Sequence, residues 1–486
     1  MDSATRDKYQ PVIGLEVHSQ LLSSSKIYSS DSTAFGAEAN SQVGVITLAH
    51  PGTLPKLNKR VVEHAIKMGL ACHSDISRYQ IFDRKNYFYP DLPKGYQLTQ
   101  DRTPICVGGY IKVSTIQEKD IKVKLNRIHI EEDAGKSIHV DDQPYTWVDL
   151  NRAGVPLIEI VTEPVIRSSE EAGALLSEVR KIVRYLQICD GNMEEGSLRC
   201  DANISVMLKG AATLGKKVEV KNMNSIRNVQ RAIEFEIERQ ITELEEGKTI
   251  SSETRTFDMN TGKTNGMRTK EELNDYRYFP DPDLSPLIVS EEWLNEIKLG
   301  MPALPEELKK KLIREYQLPE YDAQVLTEDR ETVSYFEEVA KHCSSFKAIS
   351  NWLMGPIKSF LNDDNLTIDR FSLQPETMAN VIVLVESGKI SFTTASQKLL
   401  PAMIADPTAM PMELAASLDL LQDSDEDSIA QIVEEVLSNF PAKVTEYKKG
   451  KKGLISMFMG EVMKRTKGKA DPKLTNGLLI KKLTEI

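Results

Sequence analysis

Apolar and polar residues follow a strand-like pattern along several short stretches between residue 11 and about residue 290. Successive side chains of a strand point to opposite faces, so this pattern predicts β-strands with one apolar and one polar face. The predicted strands cover residues 11–18, 121–130, 155–161, 201–206 and 218–221.

Helical spacing of apolar residues occurs in two segments of the same region. One helix is predicted over residues 168–186, because a serine can cap its start and two glutamates occupy its first turn. A second helix is predicted over residues 226–244. After the proline-rich break at residues 281–286, helical patterns dominate from Glu291 onward. The order of elements predicts an α+β fold.

Length and composition limit the class of protein. A chain of 486 residues is too long for one ordinary hydrophobic core and predicts two or three domains. Its 40% hydrophobic and 27% charged residues are typical of a soluble globular protein. The start lacks the apolar segment of a signal peptide, and no apolar run is long enough to span a membrane. The five cysteines follow no pairing pattern, so we expect reduced thiols in a cytoplasmic protein.

Charge is distributed unevenly along the chain. The net charge of −11 argues against a protein that simply coats nucleic acid. From residue 441 to the end, however, 12 Lys and Arg residues stand against 4 Asp and Glu residues. An acidic run precedes this tail at Asp423, Asp425, Glu426 and Asp427. The basic tail indicates an anionic partner held by a dedicated module, although a solvated lysine-rich helix end explains it equally well.

The acidic residues of the predicted strands share faces with other polar residues. Glu16 and His18 lie on one face of their strand, and Asp201 lies on the same face as Arg199. Glu159 is the one carboxylate in an apolar run. A buried charge is costly unless it is paired or bound to a metal, so these strands predict a common acidic surface.

Two further acids, Glu131 and Glu132, end the strand 121–130. Adjacent residues point to opposite faces in an ideal strand, but at a strand end or bulge both acids can contribute to the same acidic surface. The charged residues of 217–221 also share one face. Oxygen ligands of this kind suit Mg²⁺. The alternative is the wet face of a half-exposed sheet, on which a histidine such as His18 has no ligand role.

Two tyrosine-rich clusters complete the candidate chemistry. Residues 83–97 combine Lys85 and Lys94 with tyrosines and prolines, and residues 275–283 follow Arg268 and Lys270. A tyrosine-rich turn without a functional role is the alternative for either cluster, and it is the commoner outcome for such sequences. The chain contains neither a P-loop nor a Rossmann fingerprint, so an ATP site must be of another kind.

Long ordered motifs resemble those of one known family. They are GLEVH (14–18), FGAE (35–38), FDRKNYFYP (82–90), EEDAGK (131–136), LIEIV (157–161), GSLRCDAN (196–203), VKNMNS (220–225) and DYRYFPDPD (275–283). Near the end, GEVMK (460–464) and TKGKA (466–470) resemble the tail domain of that family. The chain therefore resembles, over essentially its whole length, the B subunits of the glutamyl/aspartyl-tRNA amidotransferases.

This resemblance implies a catalytic cradle domain over residues 1–293, related in fold to glutamine synthetase and guanido kinases. It also implies a helical domain over 294–405 and a tail domain over 406–486 that contacts tRNA. The implied cofactors are ATP and Mg²⁺. The implied partners are an A subunit that releases ammonia from glutamine and a C subunit that braces the two. The implied reaction phosphorylates the side-chain carboxylate of Glu-tRNA(Gln) or Asp-tRNA(Asn), and ammonia then displaces phosphate to give Gln-tRNA or Asn-tRNA.

Motif positions assign roles to individual residues. Metal-binding roles are implied for Glu16, His18, Glu131, Glu132, Glu159 and Asp201. Catalytic roles are implied for Glu131 and Glu132, with Lys85 and Lys94 assigned to the ammonia path or to phosphate contacts. Nucleotide or substrate contacts are implied for Ser197 and Arg199. The alternative function is a non-catalytic tRNA-binding scaffold, but acids at every matched position argue against lost chemistry.

The chain departs from the family pattern at one place. Many family members hold a structural zinc ion with two cysteine pairs near the N-terminus. The matching stretches here are residues 27–32 and 42–48, and neither contains a cysteine. A structural zinc site needs about four nitrogen or sulfur ligands, so we expect no zinc in this protein.

Overall fold

The computed structural model describes residues 2–116, 120–140, 143–269, 276–422, 426–466 and 469–485. The chain separates into two compact units, Met1–Pro305 and Glu306–Ile486. Several residues singled out in the sequence lie outside the described ranges, namely Lys270, Asp275, Asp423, Asp425 and Lys467.

The first unit is built on a large sheet. The strands of the whole unit are β1 (Tyr9–Gln20), β2 (Asp75–Ile76), β3 (Tyr79–Gln80), β4 (Asp83–Asn86), β5 (Tyr96–Thr99), β6 (Cys106–Val107), β7 (Tyr110–Val113), β8 (Ile121–Glu132), β9 (Lys136–His139), β10 (Thr146–Asp149), β11 (Pro156–Thr162), β12 (Leu198–Leu208), β13 (Val218–Met223), β14 (Glu253–Asp258), β15 (Lys263–Thr269), β16 (Arg277–Pro280) and β17 (Leu287–Ile288). The large sheet has the order β15-β14-β13-β12-β1-β11-β8-β6-β2, and β7 also pairs with β8. The pairing is antiparallel except between β13 and β14. Smaller sheets join β16-β4-β5, β10-β9 and β17-β3.

Helices of the first unit contribute apolar residues to the core of the sheet. The first unit begins with a short helix, α1 (Ser3–Arg6), whose residues are not buried, and the helices that contribute to the core are α2 (Lys59–Ala71), α3 (Ser169–Tyr185), α4 (Ile226–Glu245) and α5 (Glu291–Leu299). The predicted cap of α3 is confirmed, because the Ser168 side chain accepts a hydrogen bond from the Glu171 backbone N–H. The alternation predicted for β1 is also confirmed, since Leu15 and Val17 are fully buried in the core while Glu16 and His18 are only half-buried.

The second unit is helical. Its α-helices are α6 (Pro305–Tyr316), α7 (Glu320–Leu326), α8 (Arg330–Ala340), α9 (Phe346–Trp352), α10 (Lys358–Asp363), α11 (Pro375–Glu386), α12 (Phe392–Thr394), α13 (Leu400–Ala405), α14 (Pro411–Ser417), α15 (Glu426–Asn439), α16 (Pro441–Lys448), α17 (Leu454–Arg465) and α18 (Pro472–Glu485). Short π-helices occupy Leu353–Ile357 and Ala395–Leu399, and a 3₁₀ turn occupies Ile368–Arg370. A sheet domain followed by helices confirms the predicted α+β class.

Buried residues form separate cores that bear on the predicted domains. Leu294 and Ile297 of α5 belong to the core of the first unit. In the second unit, one core extends from Leu312 to Ala415 and another from Ile429 to Leu483. The division at residues 293 and 405 stays a prediction, as does the likeness to glutamine synthetase. Every helix within the described ranges is too short or too polar to cross a membrane.

Candidate active site

Four neighbouring strands bring the predicted polar residues onto one face of the large sheet. In the antiparallel register, Glu16 of β1 lies opposite Asp201 of β12. On the other edge of β1, His18 lies opposite Glu159 of β11. Directly paired residues of antiparallel strands point to the same face, so residues far apart in the chain become neighbours. The co-facial arrangement predicted from the sequence is therefore present, and the strand order joins the faces into one surface.

His18, Glu131 and Glu159 form the first group of potential metal ligands. One ligand atom from each residue lies within 4.8 Å of the others. Nε2 of His18 is 3.4 Å from Oε2 of Glu159. A second histidine, His129, links the carboxylates, with its Nε2 3.0 Å from Oε1 of Glu131 and 3.5 Å from Oε2 of Glu159. His129 was not predicted as a site residue from the sequence, although its position two residues before Glu131 places it on the same face.

The surroundings of Glu131 keep its carboxylate ionised despite burial. The Thr99 hydroxyl donates a hydrogen bond at 2.7 Å, and the Gln97 amide donates another at 3.2 Å. Burial alone would raise the pKa of Glu131, but the hydrogen bond with His129 and the charge of Lys85 hold it well below its usual range. Conversely, burial would lower the pKa of Lys85, and the charge of Glu131 is the largest effect that raises it instead.

Glu132 points elsewhere and binds different partners. Its Oε1 forms an ion pair with Lys94 and accepts the backbone N–H of Leu98 at 2.9 Å. Nζ of Lys94 also lies 5.5 Å from the ring centre of Tyr28 and 5.4 Å from that of Tyr96. Across the described part of the chain, neither group of potential ligands includes Glu132. A metal role for Glu132 stays a prediction, and its ion pair with Lys94 is the observed contact.

Glu16, Asp201 and Glu219 form the second group, again with ligand atoms within 4.8 Å of one another. Nδ2 of Asn203 donates to Oε1 of Glu16 at 2.9 Å. Burial and then the charges of Glu159 and Glu219 raise the pKa of Glu16. Glu219 was not predicted as a metal ligand from the sequence, although it is one of the charged residues of 217–221 that were predicted to share one face.

The two predicted nucleotide contacts lie at the start of β12. Nη2 of Arg199 donates to Oδ2 of Asp133 at 2.9 Å, and Nε2 of Gln20 donates to the same oxygen at 2.7 Å. Burial would raise the pKa of Asp133, but the charges of Arg199 and Arg152, together with the hydrogen bonds from Gln20 and Arg199, hold the pKa below its usual range. Ser197 is tied to its own loop, where its Oγ accepts the backbone N–H of Asn192 at 3.1 Å. Arg199 is therefore held in a fixed orientation beside the polar face.

The two stretches that lack cysteine, 27–32 and 42–48, are joined by Asp31. Its Oδ2 accepts hydrogen bonds from the Ser29 hydroxyl at 3.0 Å, the Gly44 backbone N–H at 2.9 Å and the Thr47 hydroxyl at 2.5 Å. These hydrogen bonds connect the two stretches. The absence of zinc stays a prediction.

Part of the positive charge of the tail is balanced by acids of the second unit. Nζ of Lys451 is 3.0 Å from a carboxylate oxygen of Glu446, and Nζ of Lys469 is 2.6 Å from one of Asp419. Nζ of Lys452 lies 4.2 Å from the ring centre of Tyr447. Glu446 is already one of the four acids counted from residue 441 onward, whereas Asp419 is an additional acid that offsets part of the local excess of positive charge.

Comparisons with known proteins identify the family of the chain. The GatB/GatE catalytic domain family matches residues 11–295, and the GatB domain family matches residues 334–483. The chain is 47% identical to the B subunit of the aspartyl/glutamyl-tRNA(Asn/Gln) amidotransferase of Thermodesulfovibrio yellowstonii, over 98% of this chain and 100% of that protein. It is 48% identical to the proteins of the same name from Geotalea daltonii and Chlorobium limicola, over 98% of this chain and 99% of each relative. The chain therefore belongs to the family of aspartyl/glutamyl-tRNA(Asn/Gln) amidotransferase B subunits.

Proposed function

We propose that this chain uses ATP to phosphorylate the side-chain carboxylate of glutamate or aspartate carried by tRNA, and that ammonia then converts the acyl phosphate to an amide. The relatives are named as amidotransferase subunits that act with tRNA(Asn/Gln), which makes the chain one component of a ligase. The observation that carries the proposal is the pair of ligand groups on one face of the large sheet.

The donor atoms of both groups fit magnesium. Five carboxylates and one imidazole supply the ligand atoms, and oxygen ligands on a partly open surface suit a hard cation that keeps waters and phosphate oxygens. The residues that would hold it are His18, Glu131 and Glu159 in the first group, and Glu16, Asp201 and Glu219 in the second. When bound, magnesium supplies neutralisation of the charge on the transferred phosphoryl group.

Other residues of the face supply positioning. Arg199, oriented by Asp133, presents its remaining N–H donors to an anionic group such as a phosphate. Lys85 adds a positive charge beside Glu131. The Lys94–Glu132 ion pair provides polar groups along an ammonia path into the site. A carboxylate is a poor acceptor for ammonia, so a phosphate leaving group is what makes amide formation accessible.

The partners follow from the same proposal. Ammonia has to come from an A subunit that hydrolyses glutamine, and the complex is braced by a C subunit. The basic helices α16 to α18 of the second unit are proposed to contact the tRNA backbone. Within the second core of that unit, tail residues such as Phe458 and Val462 are fully buried, which supports a folded module.

The proposal is tested by amide formation in the reconstituted complex with Glu-tRNA(Gln), ATP and glutamine. Glu131→Ala and Asp201→Ala are expected to abolish the product while tRNA affinity is retained. Glu246→Ala, which removes an exposed carboxylate at the end of α4, is the matched control and should leave the rate unchanged. Wild-type rates in both site variants would instead favour the scaffold function.

A further inference from the structure

Lys221 occupies the space between two carboxylates of the second group. It follows Glu219 by two residues on β13, so both side chains emerge on the polar face. Its Nζ lies 2.5 Å from Oδ2 of Asp201 and 3.0 Å from Oε1 of Glu219. The ammonium therefore contacts oxygens from two strands, β12 and β13, at the distances of charge-assisted hydrogen bonds.

The position of Lys221 is explained by the charge around it. Three partly buried carboxylates within 4.8 Å repel one another strongly unless a cation lies among them. Glu16 and Glu219 also have neutral donors, from Asn203 and Thr254 respectively, whereas Lys221 is the charged donor that Asp201 and Glu219 share. A divalent ion bound to the same oxygens would compete with the ammonium for that space.

We propose that the Lys221 ammonium occupies the position of the divalent cation in the second group and leaves it when the cation binds. The ammonium then contacts a phosphate oxygen that binds together with the cation. The phosphate contact rests on the proposed function, whereas the exchange with the cation does not. The side chain is 31% exposed, and a flexible four-carbon stem lets the ammonium move while β13 stays in place. The alternative is a permanent ion pair, in which Lys221 stays in contact with Asp201 when the cation is bound.

The first experiment measures release of Lys221 directly in the full chain. Lysines are acylated with a water-soluble reagent, and the rate at each position is read by peptide mass spectrometry with and without saturating Mg²⁺. If Lys221 is released from Asp201 and Glu219, its rate of modification should rise several-fold or more when Mg²⁺ is present. Lys216, which is exposed just before β13, is the internal control and should react equally in both states. An unchanged or slower modification of Lys221 overturns the proposal.

The second experiment measures Mn²⁺ binding without nucleotide. Lys221→Met is expected to tighten one class of sites about 10-fold or more, because a positive charge that competes with the ion is removed. Lys221→Arg keeps the charge and should restore the wild-type affinity, and Lys216→Met should match wild type. Adding Glu219→Gln to Lys221→Met should cancel the gain, which assigns it to the second group. Unchanged Mn²⁺ affinity in folded Lys221→Met contradicts the exchange.

The phosphate contact has its own readout. In the presence of Mg²⁺, a non-hydrolysable ATP analogue should protect Lys221 from acylation again and leave Lys216 reactive. Binding of the analogue without protection of Lys221 refutes the phosphate contact. If the analogue does not bind to the wild-type chain at all, the proposed function fails, while the two metal experiments still decide whether Lys221 exchanges with the cation.

Discussion

Replacing His129 by asparagine is expected to weaken divalent-cation binding at the first group by about 10-fold to 100-fold, the range found when partners that orient metal ligands are removed. The His129 ring is almost fully buried and its Nε2 is the shared contact of Glu131 and Glu159. In the variant, Glu131 keeps its hydrogen bonds from Thr99 and Gln97, but both carboxylates lose the imidazole between them. A lost hydrogen bond to a charged group corresponds to about 1.5–3 kcal/mol, which agrees with that range of affinity.

The assay is calorimetric titration of the full chain with Mn²⁺, and the matched control is His64→Asn. His64 of α2 is also buried, and its Nδ1, like that of His129, has no hydrogen-bond partner in the described structure. The charged groups that act on His64 are Arg60 and Lys67 of its own helix. Both variants therefore lose a buried imidazole, but only His129→Asn changes contacts of the first group.

The expected result is a loss of Mn²⁺ affinity in His129→Asn and wild-type affinity in His64→Asn, with both variants folded by circular dichroism. Equal losses in the two variants would mean that a general loss of packing, not the contact with Glu131 and Glu159, sets the affinity. Wild-type affinity in His129→Asn would refute the role of the imidazole directly.

Four further predictions concern stability, pH, zinc and tRNA. Lys94→Met leaves the buried Glu132 without its cation and should lower the free energy of unfolding by about 3 kcal/mol, with partial recovery when Glu132→Gln is added; an unchanged denaturation midpoint would contradict this. Burial lowers the pKa of His64 to about 4, so its contribution to stability is complete above pH 6.5 and is lost as the pH falls toward 4, by at most about 3 kcal/mol. His64→Leu should flatten this acid limb in denaturation curves, and an unchanged limb would exclude His64 as its cause. Metal analysis of protein purified without chelators should find no stoichiometric zinc, since Asp31 joins the cysteine-free stretches; one zinc per chain would refute this. Affinity for tRNA should fall steeply with salt, and replacing the lysines of 448–452 by glutamine should make that dependence shallower; an unchanged slope would leave those lysines as a solvated helix end.

The polar face could be predicted strand by strand because side-chain alternation is a local property. Burial of Leu15 and Val17 opposite Glu16 and His18 follows from four adjacent letters of the sequence. The same reasoning put Arg199 on the face of Asp201. In each case the period of two decides the outcome, and no information about the rest of the chain is needed.

The groups themselves depend on strand order and register, which are not local. Glu16 and Asn203 are hydrogen-bonded although 187 positions separate them, and no pattern within either strand specifies this pairing. The contacts of Glu219 with Asp201 and Glu16 and the contact of His129 with Glu159 depend on other strands, whereas the contact of His129 with Glu131 lies within β8 and follows from local alternation. Glu132 diverges from Glu131 because adjacent residues at the end of β8 point to different partners.

The two groups are not electrostatically independent, and β1 is the reason. Glu16 and His18 are on the same face of this strand, so the second group begins two residues from the first. The charge of Glu159, a member of the first group, raises the pKa of Glu16 in the second. A cation in the first group offsets the charge of Glu159 and thereby favours the ionised form of Glu16, which makes the second group a better ligand set. Repulsion between two cations would oppose this gain, and the negative charge of a phosphate would reduce that repulsion. The proposed binding of cations and the proposed binding of phosphate would therefore favour each other, since each would reduce the electrostatic cost of the other.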